Sequence, residues 1–274
     1  MTPTRVSDLA FGQLAGRRSR RLAVTSLYRK EVQRFMKVQA QTIWAPAFMN
    51  IVLLAVFAIV NPQGRAAVLG VDYLFFLAPG LIAAGMIQNS FANSSSSIMS
   101  GKTNGGIVDM LMAPLSPADI IAGHVGAAMT RGWLVGLATW LVMVLWMGSE
   151  ALLPREPLLL LLFGTLAMGL LGLLGLLTGI WAEKFEHMSA VTSFVIQPLS
   201  LLSGTFYALD TLPEPWITIA YWNPFHMMIG GIRAGFIGTA DFSLLTGAAV
   251  LLLANLVLGT VTWLLLRRGW RLKA

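Results

Sequence analysis

Residues 198–233 read PLSLLSGTFYALDTLPEPWITIAYWNPFHMMIGGIR. An apolar segment turns at Ser203-Gly204 and never becomes an ordinary polar loop, so the chain is expected to dip back into a membrane. Pro213, Glu214 and Pro215 make a sharp stop. Asn223-Pro224 then supplies an N-cap followed by a helix-compatible proline at the first helical position. Two short helices are therefore expected between two full spans. Trp216, Tyr221, Trp222 and Phe225 place amphipathic rings at headgroup depth, where broken helices persist only if protein or a water-filled cavity covers them.

Composition agrees with that reading along the whole chain. Hydrophobic residues make up 56% of the 274 positions and charged residues 11%, and mean hydropathy is +0.73, which is too apolar for a soluble domain of this length. Six runs are long enough to cross about 30 Å of hydrocarbon at about 1.5 Å per helical residue: 43–60, 73–99, 117–147, 157–181, 188–209 and 242–266. The fold class expected is an all-α, six-span membrane protein. Residues 1–42 form a cytoplasmic N-terminal segment, 43–266 the transmembrane domain and 267–274 a basic tail.

The formal charge of +7 comes mainly from the two ends. Arg17, Arg18, Arg20, Arg21, Arg29, Lys30, Arg34 and Lys37 precede the first run, and Arg267, Arg268, Arg271 and Lys273 follow the last. This is the signature of membrane topology and argues against nucleic acid as a partner. With the N-terminus inside, cytoplasmic segments hold both basic ends, Lys102 and Lys184, while external loops hold Arg65, Arg155 and Arg233. Both termini are thus expected in the cytoplasm. The acids Asp72, Glu150, Glu156, Asp210, Glu214 and Asp241 then fall outside. The chain has no cysteine, which excludes disulfides and thiolate chemistry. A secretion signal is not expected, because a long polar and basic stretch precedes the first apolar run.

Before the first run, Val24, Leu27, Tyr28, Val32, Phe35, Met36 and Val38 share one half of a helical wheel, and Arg29, Lys30, Gln33, Arg34 and Lys37 share the other. An amphipathic helix lying in the membrane interface is expected, with membrane lipid as its partner. Glu31 interrupts the apolar half. It either pairs with a nearby Arg or Lys, as buried charges generally do, or senses movement of a neighbouring domain.

Residues 101–117 read GKTNGGIVDMLMAPLSP. Glycines 101, 105 and 106 loosen the chain, Ile107 to Met112 form a short amphipathic run, and Pro114 and Pro117 end it. One short cytoplasmic helix is expected. Its apolar residues Ile107, Met110, Leu111 and Met112 mark a partner surface, or else a connector packed on its own spans.

These features together resemble the ABC-2 type transporter permeases, a family of drug, lipo-oligosaccharide and polysaccharide exporters. The resemblance runs through the amphipathic helix with Leu27, Glu31 and Phe35, the element GGIVDMLMAPLSPADIIAG, and the closing pattern LSGTFYALDTLPEPWITIAYWNPFHMMIGGIR. It implies that Ile107, Val108, Asp109, Met110, Leu111 and Met112 form a coupling helix seated in a groove of an ATP-binding subunit. It implies external re-entrant half-helices carrying Pro213, Trp216, Tyr221, Trp222, Asn223, Pro224 and Arg233. ATP and Mg would belong to that separate subunit, present in two copies beside a homodimer of this chain, with no cofactor here. Location in a bacterial inner membrane and an amphiphilic, lipid-linked or glycan substrate are implied as well.

Other patterns point elsewhere and are weaker. The stretch 96–103, SSIMSGKT, ends like a phosphate-binding loop but has Ser96 in place of the first glycine and follows a membrane span instead of a strand. Ser203 and His226 could form a nucleophile and base, yet Leu201 and Thr205 replace the glycines of a nucleophile elbow. A passive channel would show the same spans and is the alternative reading. His124 and His187 lack the i, i+4 partner expected of a metal site. Gly164, Gly169, Gly172, Gly175 and Gly179 give the fourth run a small-residue stripe for close helix packing. Arg131, inside the third run, either faces protein, water or a carboxylate, or snorkels to the interface.

Overall fold

A computed structural model describes residues 6–60, 68–148, 152–209 and 212–270, without side-chain placement for residues 6–20 and Leu111. Arg65, Glu150, Asp210 and the tail residues Arg271 and Lys273 lie outside the described residues. The described chain is helical, with a single isolated bridge between Val68 and Val71. Its helices are α1 (Val6–Met36), α2 (Ala45–Val60), α3 (Tyr73–Thr103), α4 (Gly106–Met112), α5 (Pro117–Met147), α6 (Pro157–Trp181), α7 (Phe185–Val191), α8 (Gln197–Leu201), α9 (Trp216–Tyr221), α10 (Pro224–Ile237) and α11 (Leu244–Arg267). Wider π turns at Ala40–Trp44 and Thr192–Ile196 join α1 to α2 and α7 to α8.

Five helices are long and apolar enough to cross a membrane: Ala40–Val60, Tyr73–Thr103, Pro117–Met147, Pro157–Trp181 and Leu244–Arg267. They match five of the six apolar runs. The remaining run, 188–209, is helical only within residues 185–201, about 25 Å at about 1.5 Å per residue, before the chain turns at Leu202. That helix is shorter than the roughly 30 Å hydrocarbon thickness. Its apolar run continues into irregular chain, and so hydropathy overestimates its helical length.

α3 is the central helix, mostly buried, while α2 and α11 are mostly exposed and present Phe48, Val56, Leu253 and Leu256 outward. In water such a surface would be an aggregation hazard; against lipid it is the expected exterior. The closest pairing is α3 with α6, and glycine produces it. A Cβ at Gly175 would collide with the Phe91 carbonyl, and one at Gly179 would come within 2.9 Å of the Ser95 carbonyl. Without side chains at these positions the two backbones approach, and further along the same pair Ser90 Oγ donates to Met168 O at 2.7 Å. Backbone-to-backbone packing of this kind replaces the hydrophobic drive that lipid does not supply.

α5 opens on Ser116, whose hydroxyl accepts from Asp119 N while the Asp119 carboxylate accepts from Ser116 N at 2.8 Å, a reciprocal cap. At the same end Lys102 Nζ donates to the carbonyls of Ile180 and Ala182, at 2.5 and 2.9 Å. A cation there satisfies carbonyls left open at the C-terminus of α6 and opposes its dipole. The phosphate-loop resemblance ends at this point. Residues 96–103 are continuous helix, with no loop of free N–H groups to cradle a phosphate.

Candidate functional site

Two regions at opposite ends of α3 carry the site residues. At the end with α4, Gly105 adopts the left-handed φ of 72° that turns the chain from α3 into α4, a conformation cheap only for glycine. α4 then divides its faces. Ile107 is buried among Ile98, Ile120, Leu176 and Ile180, with Met110 packed against the same cluster. Val108 and Met112, one turn apart, are 54% and 81% exposed, and Asp109 is exposed beside them. The connector reading and the partner-surface reading thus each describe one face. The helix is bolted to the bundle by Ile107 and Met110 and offers Val108, Asp109 and Met112 outward.

α1 runs beside this element. Leu27, Glu31 and Phe35, four residues apart, are all buried, and they face α5 rather than lipid. Leu27 lies against Gly123, and Tyr28 Oη lies 2.8 Å from Thr130 Oγ1. The expected apolar half is therefore largely a protein contact, and Met36 and Val38 are its exposed apolar remainder. Glu31 does have a cationic partner, Arg34 Nε at 3.1 Å, with His124 Nε2 at 4.0 Å. Arg34, expected on the solvent half, turns inward and donates to Asn93 O and Oδ1 at 2.9 and 3.1 Å. A void of about 30 Å³ bordered by Leu27, Glu31, Ile107, Met110 and His124 joins α1 to α4.

Sequence reading passed over the residues that receive Arg34. Asn89, Ser90, Asn93, Ser94, Ser95 and Ser97 form a buried polar stretch within the span α3. Arg131 faces this stretch, donating from Nη2 to Asn89 Oδ1 at 2.9 Å. It faces protein, and its partner among the described residues is an amide. The signal was present as QNSFANSSSS at 88–97, a polar block inside an apolar run, where intramembrane polar groups must find partners.

At the other end, α9 and α10 form the two expected short helices. Asn223 caps α10 by accepting from Phe225 N at 3.0 Å, and its Nδ2 donates to Leu199 O at 2.7 Å, tying the cap to α8. Trp216, Tyr221 and Trp222 are exposed, whereas Phe225, expected beside them at headgroup depth, is buried. Pro213 closes a turn by accepting from Trp216 N at 2.9 Å, and Pro224 takes the first helical position. α10 is buried from Phe225 to Ile237 because Gly231 and Gly235 let it lie directly on Phe163 and Leu160 of α6.

Arg233, counted above among external loop residues, is instead inside the bundle. Its guanidinium sits 3.8 Å from the Phe76 ring centroid and donates to Gly204 O at 2.7 Å. The close approach explains Gly80, where a Cβ would meet Arg233 Nη2 and Thr205 O at 2.8 Å each. Arg233 thereby fixes the turn at 203–205 against α3, a role its charge alone concealed.

The hydrolase alternative fails on geometry. Ser203 Oγ donates to Ser200 O and lies 3.2 Å from Thr205 Oγ1. His226 Nδ1 faces the main-chain carbonyl of Ser203 at 3.3 Å, and its Nε2 lies 3.4 Å from Asp241 Oδ1. The imidazole therefore makes no hydrogen bond to the hydroxyl it would need to activate. No group of three or more His, Cys, Asp or Glu side chains is placed to hold a metal among the described residues.

The sequence pattern of the ABC-2 type transporters matches residues 23–237, from the buried face of α1 to the end of α10. An inner membrane transport permease of Escherichia coli K12, YadH, is 32% identical over 253 residues, covering 92% of this chain and 98% of that protein. Nodulation protein J of Rhizobium leguminosarum bv. viciae is 28% identical over 206 residues, covering 73% and 76%. Nodulation protein J of Neorhizobium galegae is 27% identical over 190 residues, covering 66% and 70%. With a family pattern spanning most of the chain and a relative aligned along nearly all of it, this multi-pass membrane protein belongs to the ABC-2 type transporter family of permeases.

Proposed function

We propose that this chain is the membrane subunit of an ATP-driven exporter, working as a homodimer with two copies of a separate ATP-binding subunit. The observation that carries the reading is the two-faced α4. A seven-residue helix anchored by Ile107 and Met110 yet holding Val108 and Met112 outward is suited to pass a partner's movement into α3, α5 and α1. ATP and Mg²⁺ would be bound in that partner. The end of the bundle with α4 faces the cytoplasm on this reading, residues 185–209 traverse the bilayer as helix followed by irregular chain, and α9 with α10 lie at the outer mouth. Family membership and the inner membrane description of YadH support a bacterial inner membrane location. The apolar bundle exterior and the shortage of charges in the spans favour an amphiphilic, lipid-linked or glycan substrate over a small ion.

A Val108→Asp/Met112→Asp double variant tests this. It alters only the outward face, so the purified protein should keep its melting temperature and dispersity. It should lose co-purification with the ATP-binding subunit and substrate-stimulated ATP hydrolysis. Retained coupling would remove α4 from the partner interface, and export continuing undiminished without ATP hydrolysis would leave the passive channel.

A further inference from the structure

A cavity of about 270 Å³ lies between α3, α5, α6 and α10, in the half of the bundle away from α4. Buried Met86, Gly136 and Phe236 line it together with half-buried Trp133, Trp140 and Leu160. Trp133 and Trp140 stand two turns apart on α5, so the space extends roughly 10 Å along the helix. The indole N–H of Trp140 is already committed to Leu152 O at 2.8 Å, a bond that also fixes the rim formed by Leu153 and Pro154. Leu137 and Leu153 border its mouth at 49% and 56% exposure, and Leu141 and Leu145, one and two turns on from Leu137 along α5, are exposed as well.

The lining offers water no partners, and an apolar cavity of about 150 Å³ already admits a ring the size of benzene. Hydrocarbon from the surrounding membrane is the occupant that such a space stabilises. The rim adds charge. Arg155 follows Pro154, is exposed, and is held in place by its backbone N–H to Phe236 O at 3.3 Å and Nη1 to Ile237 O at 3.2 Å. A guanidinium has five donors, and among the described residues this one gives a single donor to a carbonyl, at the height where α6 begins. Its charged neighbour Glu156 is also exposed, with its own N–H given to Gly235 O at 2.9 Å.

We propose that this cavity is a lipid site that takes one acyl chain of a glycerophospholipid between Trp133 and Trp140, with the lipid phosphate on Arg155. The proposal requires only that the chain be membrane-embedded and is independent of the ATP-driven reading. Bound hydrocarbon fills the gap between α5 and α10, and the phosphate contact selects a lipid over a free alkane.

Phosphatidylglycerol brominated on one acyl chain, titrated into the purified protein in detergent micelles, provides the test through quenching of tryptophan fluorescence. The chain has nine tryptophans, so the signal is read as the difference between the wild type and a Trp133→Phe/Trp140→Phe variant. The difference signal should saturate with lipid mole fraction, and Leu137→Phe/Leu153→Phe, which narrows the mouth, should abolish the saturable component. Arg155→Gln should shift half-saturation about fivefold for the phospholipid, as one interfacial arginine contact of about 1 kcal/mol implies, and leave brominated diacylglycerol unshifted. Should the mouth variant not fold, the single Trp133→Phe and Trp140→Phe proteins still decide, because each must remove part of the saturable signal. Quenching that rises linearly with lipid, or survives mouth narrowing in a folded protein, means annular contact only and overturns the site. An equal Arg155→Gln shift for both lipids overturns the phosphate contact.

Discussion

Asn223 makes two hydrogen bonds with separable consequences. Its Oδ1 caps α10 through Phe225 N, and its Nδ2 crosses to Leu199 O at the end of α8. Asn223→Ala removes both, about 1 kcal/mol for the cap and about 1 kcal/mol for the buried bond. Asn223→Ser keeps an acceptor for the cap and loses the crossing bond, leaving about half that loss. With an unfolding entropy of roughly 2.1 cal/mol/K per residue over 274 residues, the alanine variant should melt about 3–4 °C lower and the serine variant about 2 °C lower. Intrinsic fluorescence during a thermal ramp of the purified protein at a fixed scan rate measures this. Because Asn223 sets where α10 starts, the alanine variant should also reduce export in proteoliposomes containing the ATP-binding subunit more than the serine variant does. Equal melting losses in the two variants would refute the capping contribution, and an unchanged alanine variant would refute both bonds.

Four further outcomes are expected. In this cysteine-free chain, single cysteines replacing Glu150 or Glu214 should react with an impermeant maleimide in intact cells, and those replacing Asn104 or Glu183 only after permeabilisation. External labelling at Asn104 would reverse the orientation. Ser203→Ala should leave export intact, and the native chain should resist an active-site fluorophosphonate, since His226 is hydrogen-bonded to the Ser203 carbonyl and not to its hydroxyl. Loss of export with positive labelling would reinstate the hydrolase. Gly175→Leu drives a side chain into the Phe91 carbonyl and should cost about 3 kcal/mol or more, seen as lost monodisperse protein. Gly259→Ala, with its nearest obstacle 3.9 Å away at Leu173, should be neutral or mildly stabilising.

Sequence alone determined the features that depend on local chemistry. Lipid demands long apolar runs with every backbone group bonded within the segment, so five spans were legible to within about four residues at their ends. Asn223-Pro224 announced the start of α10, because an N-cap and a first-turn proline act within a few residues of themselves. The glycine stripe of α6 declared close approaches without naming the partners, which the structure supplies as α3 at Gly175 and Gly179, α5 at Gly164 and Gly172, and α11 at Gly169. The tertiary structure decided what depends on facing elements. Arg34 and Arg131 turn inward because Asn89 and Asn93 receive them, and Arg233 is buried because the carbonyl of Gly204 and the face of Phe76 offset its desolvation. The division of α4 into an anchored and a free face was equally invisible, since seven residues carry both apolar faces and only the cluster around Ile107 selects which is used. Periodicity identifies a surface that wants a partner, and the fold determines whether that partner is the chain itself.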